Sequence, residues 1–360
     1  MILNIHKQYL LKKFLKKIFL VSIVFFILVL IINLIEESTF LKESDTSFLT
    51  PLILTFLNAP SLLYEMFPFI FLISTQFFFI EMYENKEIFT LKQFGIDNFT
   101  ILRFLTFTSF ILGFFVIIVF YNFSSILKNE YLKIKNNYAD DKKYLAVITK
   151  NGIWIKDNFD DGTIIINADK IDGKYLVNSS ITKFDKNFNM KQNIISSKIN
   201  IENYEWKLFD VIVTDLNNVS QKYDEITLKS NFDLEKISNL FSDLSSLSYF
   251  KLLKLEKDYK SIGYSVTEIN IQKHKFYSLP FLLTIMTVIA TIIMVYNKFK
   301  NNILLNLFLG IFFSVLVYYL SHFSSLLGEN GRLPLILSIW FPVIVLMSLS
   351  IIGIIKLNEK

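Results

Sequence analysis

Residue types that do bond-making chemistry are scarce here and stand far apart. The three histidines, His6, His274 and His322, are scattered through the 360 residues. Neither a metal site nor a Ser/His/Asp arrangement has support, because both need their groups converging on one point. Cysteine is absent, which excludes disulfides and thiol chemistry. No Gly-x-x-x-x-Gly-Lys-Ser/Thr loop is present to cradle nucleotide phosphates, and nothing in the pattern calls for a cofactor. What remains is charge set against apolar surface. In EMYENKEIFTLKQFG, residues 81–95, a helix drawn at about 100° per residue puts Tyr83, Glu84, Glu87, Ile88, Leu91 and Phe94 on one side. Asn85, Lys86, Lys92 and Gln93 then lie opposite. Carboxylates inside an apolar face suit a basic groove on another protein better than a lipid surface, where basic flanks are favoured. Gly95 supplies a C-cap. The bland alternative is a solvated connector.

A second group of charges, Lys128, Lys133 and Lys135, fits either anionic headgroup binding or the ordinary surface of a soluble domain. Glu65, between Pro60 and Pro68, reads as an intramembrane functional acid, as an interfacial residue, or as a cap on a broken helix. His322 reads as a packing histidine, His274 as a solvated or headgroup-level one, and Trp154, Trp206 and Trp340 as core or interface anchors.

The elements that must position these groups are mostly membrane spans. The chain is 52% hydrophobic with 38 Phe, and its apolar runs approach or exceed the roughly 20 residues a helix needs to cross a hydrocarbon core. Runs at about 18–35, 52–80, 101–127, 276–296, 303–323 and 333–355 predict an α-helical integral membrane protein with six transmembrane helices. HKQYLLKKFLKK leads into the first run without a small-residue cleavage site, so that span is expected to stay. Lys7, Lys12, Lys13, Lys16, Lys17, Lys86, Lys92, Arg103, Lys298, Lys300, Lys356 and Lys360 fall on one face, which assigns both termini and EMYENKEIFTLKQFG to the cytoplasm. The net charge of +5 is mostly this asymmetry plus a lysine-rich insert, and gives little reason to propose nucleic acid. Between the third and fourth spans, short runs such as YLAVIT, NGIWIKD, GTIIINA and YEWKLFDVIVT alternate like strands with one buried face. Their spacing is that of a sandwich or jelly roll, with Ile165 and Val211 expected inward. The expected organisation is 1–128 (three spans and the charged helix, about 82–95), 129–262 (an all-β outer domain with a helical return), and 263–360 (three further spans).

The order of LIINLIEE, YEMFP, KEIFTLKQFGID, NGIWIKD, YEWKLFDV, KHKFYSLP and LGENGRLPLILSIWFP along the chain resembles the LptF/LptG permease family of lipopolysaccharide export. The resemblance runs over essentially the whole chain. KEIFTLKQFGID resembles the family's Glu-Leu-x-x-Leu-Arg-x-x-Gly-Ile-Ser segment through Glu87, Leu91, Lys92, Gly95 and Ile96, with Lys92 and Asp97 as departures. It implies an inner-membrane ABC transporter permease, without its own ATP site, that extracts lipopolysaccharide and passes it to a periplasmic jelly roll. Implied partners are an LptB-like ATPase dimer docked on the segment from Tyr83 to Gly95, an LptF-like sister permease, an LptC-like bitopic protein, lipopolysaccharide and membrane lipid. The end of the first span resembles the G member more than the F member. Headgroup contacts implied near the outer surface are Asn33, Lys42, Lys128 and Lys133, although Asn33 stands where some relatives carry a basic residue. Two other classes stay open: a mechanotransmission permease, and a secondary transporter or intramembrane enzyme. The latter would show clustered ionisable residues at midspan.

Overall fold

The structure is a computed structural model and describes residues 5–42, 47–138, 153–159, 162–215, 219–234, 236–237, 243–261, 265–296 and 303–358. The expected strand YLAVIT lies outside the described residues. Two compact units form, one from 1–128 with 267–360 and the other from 129–266.

The first unit is helical: α1 (Ile5–Phe40), α2 (Leu49–Glu65), α3 (Phe67–Glu84), the short α4 (Glu87–Gln93), and α5 (Asn98–Phe115) running through a π-helical turn, Val116–Tyr121, into α6 (Asn122–Tyr138). After the second unit, whose α7 spans Tyr249–Ser261, come α8 (Thr267–Tyr296), α9 (Ile303–Glu329) and α10 (Leu335–Asn358). Five helical stretches among the described residues are long and apolar enough to cross a membrane, or six if the pair α2 and α3 counts as one. That pair is where the expected second span departs from a straight rod. Its helices meet at 69°, a broken span or a re-entrant loop. Pro68 explains where α3 restarts, since a proline in the first helical turn lacks only an N–H that would have had no partner there. Glu65 is the last residue of α2, exposed at this bend, which favours its reading at a helix break.

Packing makes α8 the central helix. Of its most apolar window 67% is buried, against 17% for α1 and 22% for α9, whose apolar faces stay largely uncovered by the rest of the chain. Close approach to α8 is built into the sequence at Gly113 of α5, where a Cβ would sit 2.6 Å from the Pro280 Cα. Ser109 and Thr287 share a buried hydrogen bond of 2.8 Å across the same pair of helices. Such pairings hold helices together where lipid offers no hydrophobic contrast.

Six described strands make up the second unit's sheet: β1 (Ile153–Phe159), β2 (Gly162–Asp172), β3 (Tyr175–Phe184), β4 (Met190–Asn200), β5 (Glu205–Asp215) and β6 (Ser220–Lys229). They pair antiparallel in chain order as a meander. In a flat sheet β1 and β6 would lie about 24 Å apart, at about 4.8 Å per strand. Instead the buried Asp157 of β1 accepts from Ser230 Oγ at 2.8 Å and from Asn231 N at 3.0 Å, just past β6. The segment that follows β6 is therefore brought against β1, so the sheet is rolled and not flat. One row runs through the buried Ile153, Ala168, Ser179 and Ser196, continues to the buried Val211 between the pairs Ile195–Ile212 and Lys198–Phe209, and ends by register at Tyr223, which is 42% exposed on the edge strand. Val211 is fully buried as expected, but Ile165 is not inward: it pairs with Lys156 and Thr182 on the opposite face. The alternation in GTIIINA gives the period and leaves the phase open, so either isoleucine set could have been the inner one. Across the sheet, Asp169, Asn178, Ser197 and Asp210 form a row where the inward phase slips by one residue, and Asn178 and Asp210 adopt positive φ there (50° and 51°). Trp206 is a core anchor as expected, donating to the Phe232 carbonyl at 2.8 Å.

Candidate functional site

Four long helices meet at the basic end of the helical unit. Leu10 and Phe14 of α1, Phe78, Phe79 and Met82 of α3, Ile101 and Leu105 of α5, and Met294 of α8 form one core, and Ile88 of α4 inserts into it at 1% exposure. Burying a side chain of that size contributes about 2 kcal/mol. Leu91 and Tyr83 pack against the same core. The continuous helix expected over 81–95 is broken at Asn85 and Lys86, where Lys86 takes φ of 57° and turns the chain between α3 and α4. A helical wheel drawn through those two residues therefore misassigns faces. Ile88 and Leu91 face the chain's own core, whereas Glu84, Phe89, Lys92, Phe94 and Gly95 are exposed. Phe94 is 79% and Phe89 59% exposed, large apolar surfaces beside Lys92 on an otherwise polar turn.

Charge fixes α4 as firmly as apolar packing does. Lys13 Nζ lies 2.5 Å from Glu87 Oε2 and 3.0 Å from Glu81 Oε1, Lys17 pairs with the other Glu81 oxygen, and Lys13 also donates to Tyr9 Oη at 3.3 Å. Lys13 is 7% exposed, Glu87 23% and Glu81 33%. The expectation that Glu87 meets a basic groove on a partner is corrected in its geometry, because its carboxylate is engaged within the chain. Burial pushes the Glu87 carboxyl up, but hydrogen bonds from Lys13, Tyr9 and Asn85 with the Lys13 charge outweigh it and hold the group below the usual carboxylate value. The stability it contributes is thus present at neutral pH and is lost as pH falls through that depressed value. From the sequence, Lys13 and Lys17 are legible only as cytoplasmic charges. Their spacing with Tyr9, four residues apart each time, places all three on one face of α1 and could have marked them.

Gly95 closes α4. Its N–H reaches the Lys92 carbonyl at 3.0 Å, and Ile96 N–H reaches Leu91 O at 3.0 Å, the paired bonds of a left-handed cap. With φ of +78° and open space where a methyl group would stand, Gly95→Ala should cost only the backbone strain, about 1 kcal/mol. A melting-temperature loss beyond a few degrees in the purified protein would contradict this.

At the far end of α1, the headgroup candidates separate. Asn33 is 1% exposed; its amide donates to the Thr55 carbonyl at 3.4 Å and its Oδ1 accepts from Asn58 Nδ2 at 3.1 Å. Lys128 Nζ donates to Asn58 Oδ1 at 2.7 Å. The structure thus joins Asn33 and Lys128 through Asn58, a residue that nothing in the sequence singles out, within reach of the π-helical turn before α6. Lys42 is exposed, and Lys133 pairs with Glu130 at 2.7 Å on the surface of α6, so neither joins that network. Lys135 is buried against Tyr131. His274 accepts from Trp340 Nε1 at 3.3 Å and is packed rather than solvated, while the exposed His322 stacks on Tyr318. Trp154 is 54% exposed.

A family model described as Lipopolysaccharide export system permease LptF/LptG matches residues 8–356. No curated protein matches the chain.

Proposed function

The chain belongs to the LptF/LptG family of lipopolysaccharide export permeases, a transporter component and not an enzyme, and from that premise we propose that α1 is the rod by which an ATPase moves lipid. The reading is of a G-like permease in an inner membrane, paired with an LptF-like sister, docked on an LptB-like ATPase dimer and followed by an LptC-like periplasmic protein. Extraction needs work, because each methylene brought into water costs about 0.8 kcal/mol. The observation that carries the proposal is the Lys13 clamp, which binds α4 to α1 and α3 while leaving Phe89, Lys92 and Phe94 exposed for a partner. Lys13 and Asn33 are 20 residues apart on one unbroken helix, about 30 Å, or one hydrocarbon thickness. Displacement of α4 would therefore reach the Asn33, Asn58 and Lys128 network without an intervening hinge. Phosphate groups are the ligands that an ammonium among amides would hold there.

The rolled sheet is the natural next station, on the jelly-roll reading of the second unit. A photo-crosslinker at Tyr223, which pairs with the buried Val211 at the exposed edge of the row through Ile153, should capture lipopolysaccharide in the assembled complex only when ATP is supplied. One at Ile165, on the opposite face, should not. Equal capture from both positions would remove the groove from the route.

A further inference from the structure

A groove of about 290 Å³ lies beside the core that seats α4, sharing Leu10 with it, and is lined also by His6, Lys7, Thr100, Arg103, Phe104 and Phe107. Two helix faces make it. His6, Lys7 and Leu10 share one side of the first turns of α1, and Thr100, Arg103, Phe104 and Phe107 follow the spacing of one face of α5. The polar lining residues come from the helix ends. Phe107, one further turn into the apolar helix and 64% exposed, lies where acyl chains would be. The same order, charged group first and hydrocarbon after, is that of a phospholipid. Lys7 and Arg103 supply two positive charges. A nearby acid is Asp97, which caps α5 by accepting from Thr100 N at 2.9 Å and is held low by hydrogen bonds from the Thr100 side chain and N–H, with the Arg103 charge a smaller contribution. A positive balance therefore remains for an anion.

We propose that this groove binds an anionic phospholipid of the leaflet at the basic end, its phosphate between Lys7 and Arg103 and one acyl chain along Phe104 and Phe107. The occupant is a lipid of the host bilayer and not the exported cargo, so the site stands whether or not the export reading does. Charge complementarity selects an anionic over a zwitterionic headgroup, and the two exposed or half-buried phenylalanines select a lipid over free phosphate.

The test is native mass spectrometry of the full chain, with whatever subunits copurify, after exchange into phosphatidylglycerol or phosphatidylcholine. Lys7→Gln with Arg103→Gln should lower phosphatidylglycerol retention by about fivefold for each cation removed. Lys12→Gln with Lys16→Gln, two exposed lysines outside the groove, should leave it unchanged, and Phe107→Ala should weaken the lipid without changing competition by inorganic phosphate. Equal loss from both lysine sets would mean a diffuse basic surface and would overturn the site. So would displacement of the lipid by inorganic phosphate alone, or loss of lipid whenever a second protein subunit is bound, which would assign the groove to that subunit.

Discussion

Lys13→Glu is expected to uncouple ATP hydrolysis from lipid export and to lower the stability of the purified complex, and adding Glu87→Lys is expected to restore most of both. The single reversal places three carboxylates together, since Glu81 and Glu87 lie 3.0 and 2.5 Å from the ammonium that is removed. Breaking a buried ion pair from one side costs about 3 to 5 kcal/mol. Lys13 is nearly inaccessible, but its partners are a quarter to a third exposed, so screening by water brings the expected loss to about 2 to 3 kcal/mol. The double exchange re-forms a pair of opposite polarity at the same place, while Glu81 and Lys17 keep their own contact. Lys12→Glu, one residue away and exposed, is the matched control and should be nearly silent. Melting of the complex and lipid release per ATP, measured side by side, decide the matter. If Lys13→Glu is tolerated as well as Lys12→Glu, α4 is a connector and α1 is not its rod.

The clamp shows where sequence reasoning reaches its limit. Apolar runs announce the helices because a span must be continuous over about 20 residues, whatever it packs against. Alternation announces strands for the same reason: a period belongs to the chain alone. Which face is inner belongs to the contacts, and the expectation fails there, at Ile165 and at α4. Lys86 is the particular obstacle in EMYENKEIFTLKQFG. A lysine with φ of 57° carries no signal, whereas the glycine at 95, in a similar conformation, is legible as a cap. The partners of Glu87 and Glu81 lie about 65 to 75 positions earlier, and no local pattern pairs residues across that distance. The 69° bend between α2 and α3 is partly legible, since Pro60 and Pro68 flank it; the apolar run simply continues through it. Asn58 is invisible because a lone asparagine in an apolar run says only that it has a partner.

Lys128→Gln should raise the lipopolysaccharide concentration needed to stimulate ATP hydrolysis by about tenfold or more, whereas Lys133→Gln and Lys42→Gln should each change it less than about twofold. A hydrogen bond to a charged group is worth about 1.5 to 3 kcal/mol, and tenfold corresponds to about 1.4 kcal/mol. The three lysines differ in what holds them. Lys133 is half exposed and faces Glu130, a surface pair of the kind that contributes about 0 to 1 kcal/mol. Lys42 is exposed at the end of α1. Lys128 is half-buried and aimed by Asn58, whose amide is in turn oriented by the nearly inaccessible Asn33, so its ammonium is pre-positioned and loses little freedom on meeting a phosphate. Asn58→Leu supplies the second measurement. It leaves the lysine charge in place but removes what aims it, so lipid dependence should weaken while the total charge is unchanged. Equal effects from Lys128→Gln and Lys133→Gln would make the response one of surface charge alone, and an unchanged response to both Lys128→Gln and Asn58→Leu would leave the network a purely structural contact between α1, α2 and α6.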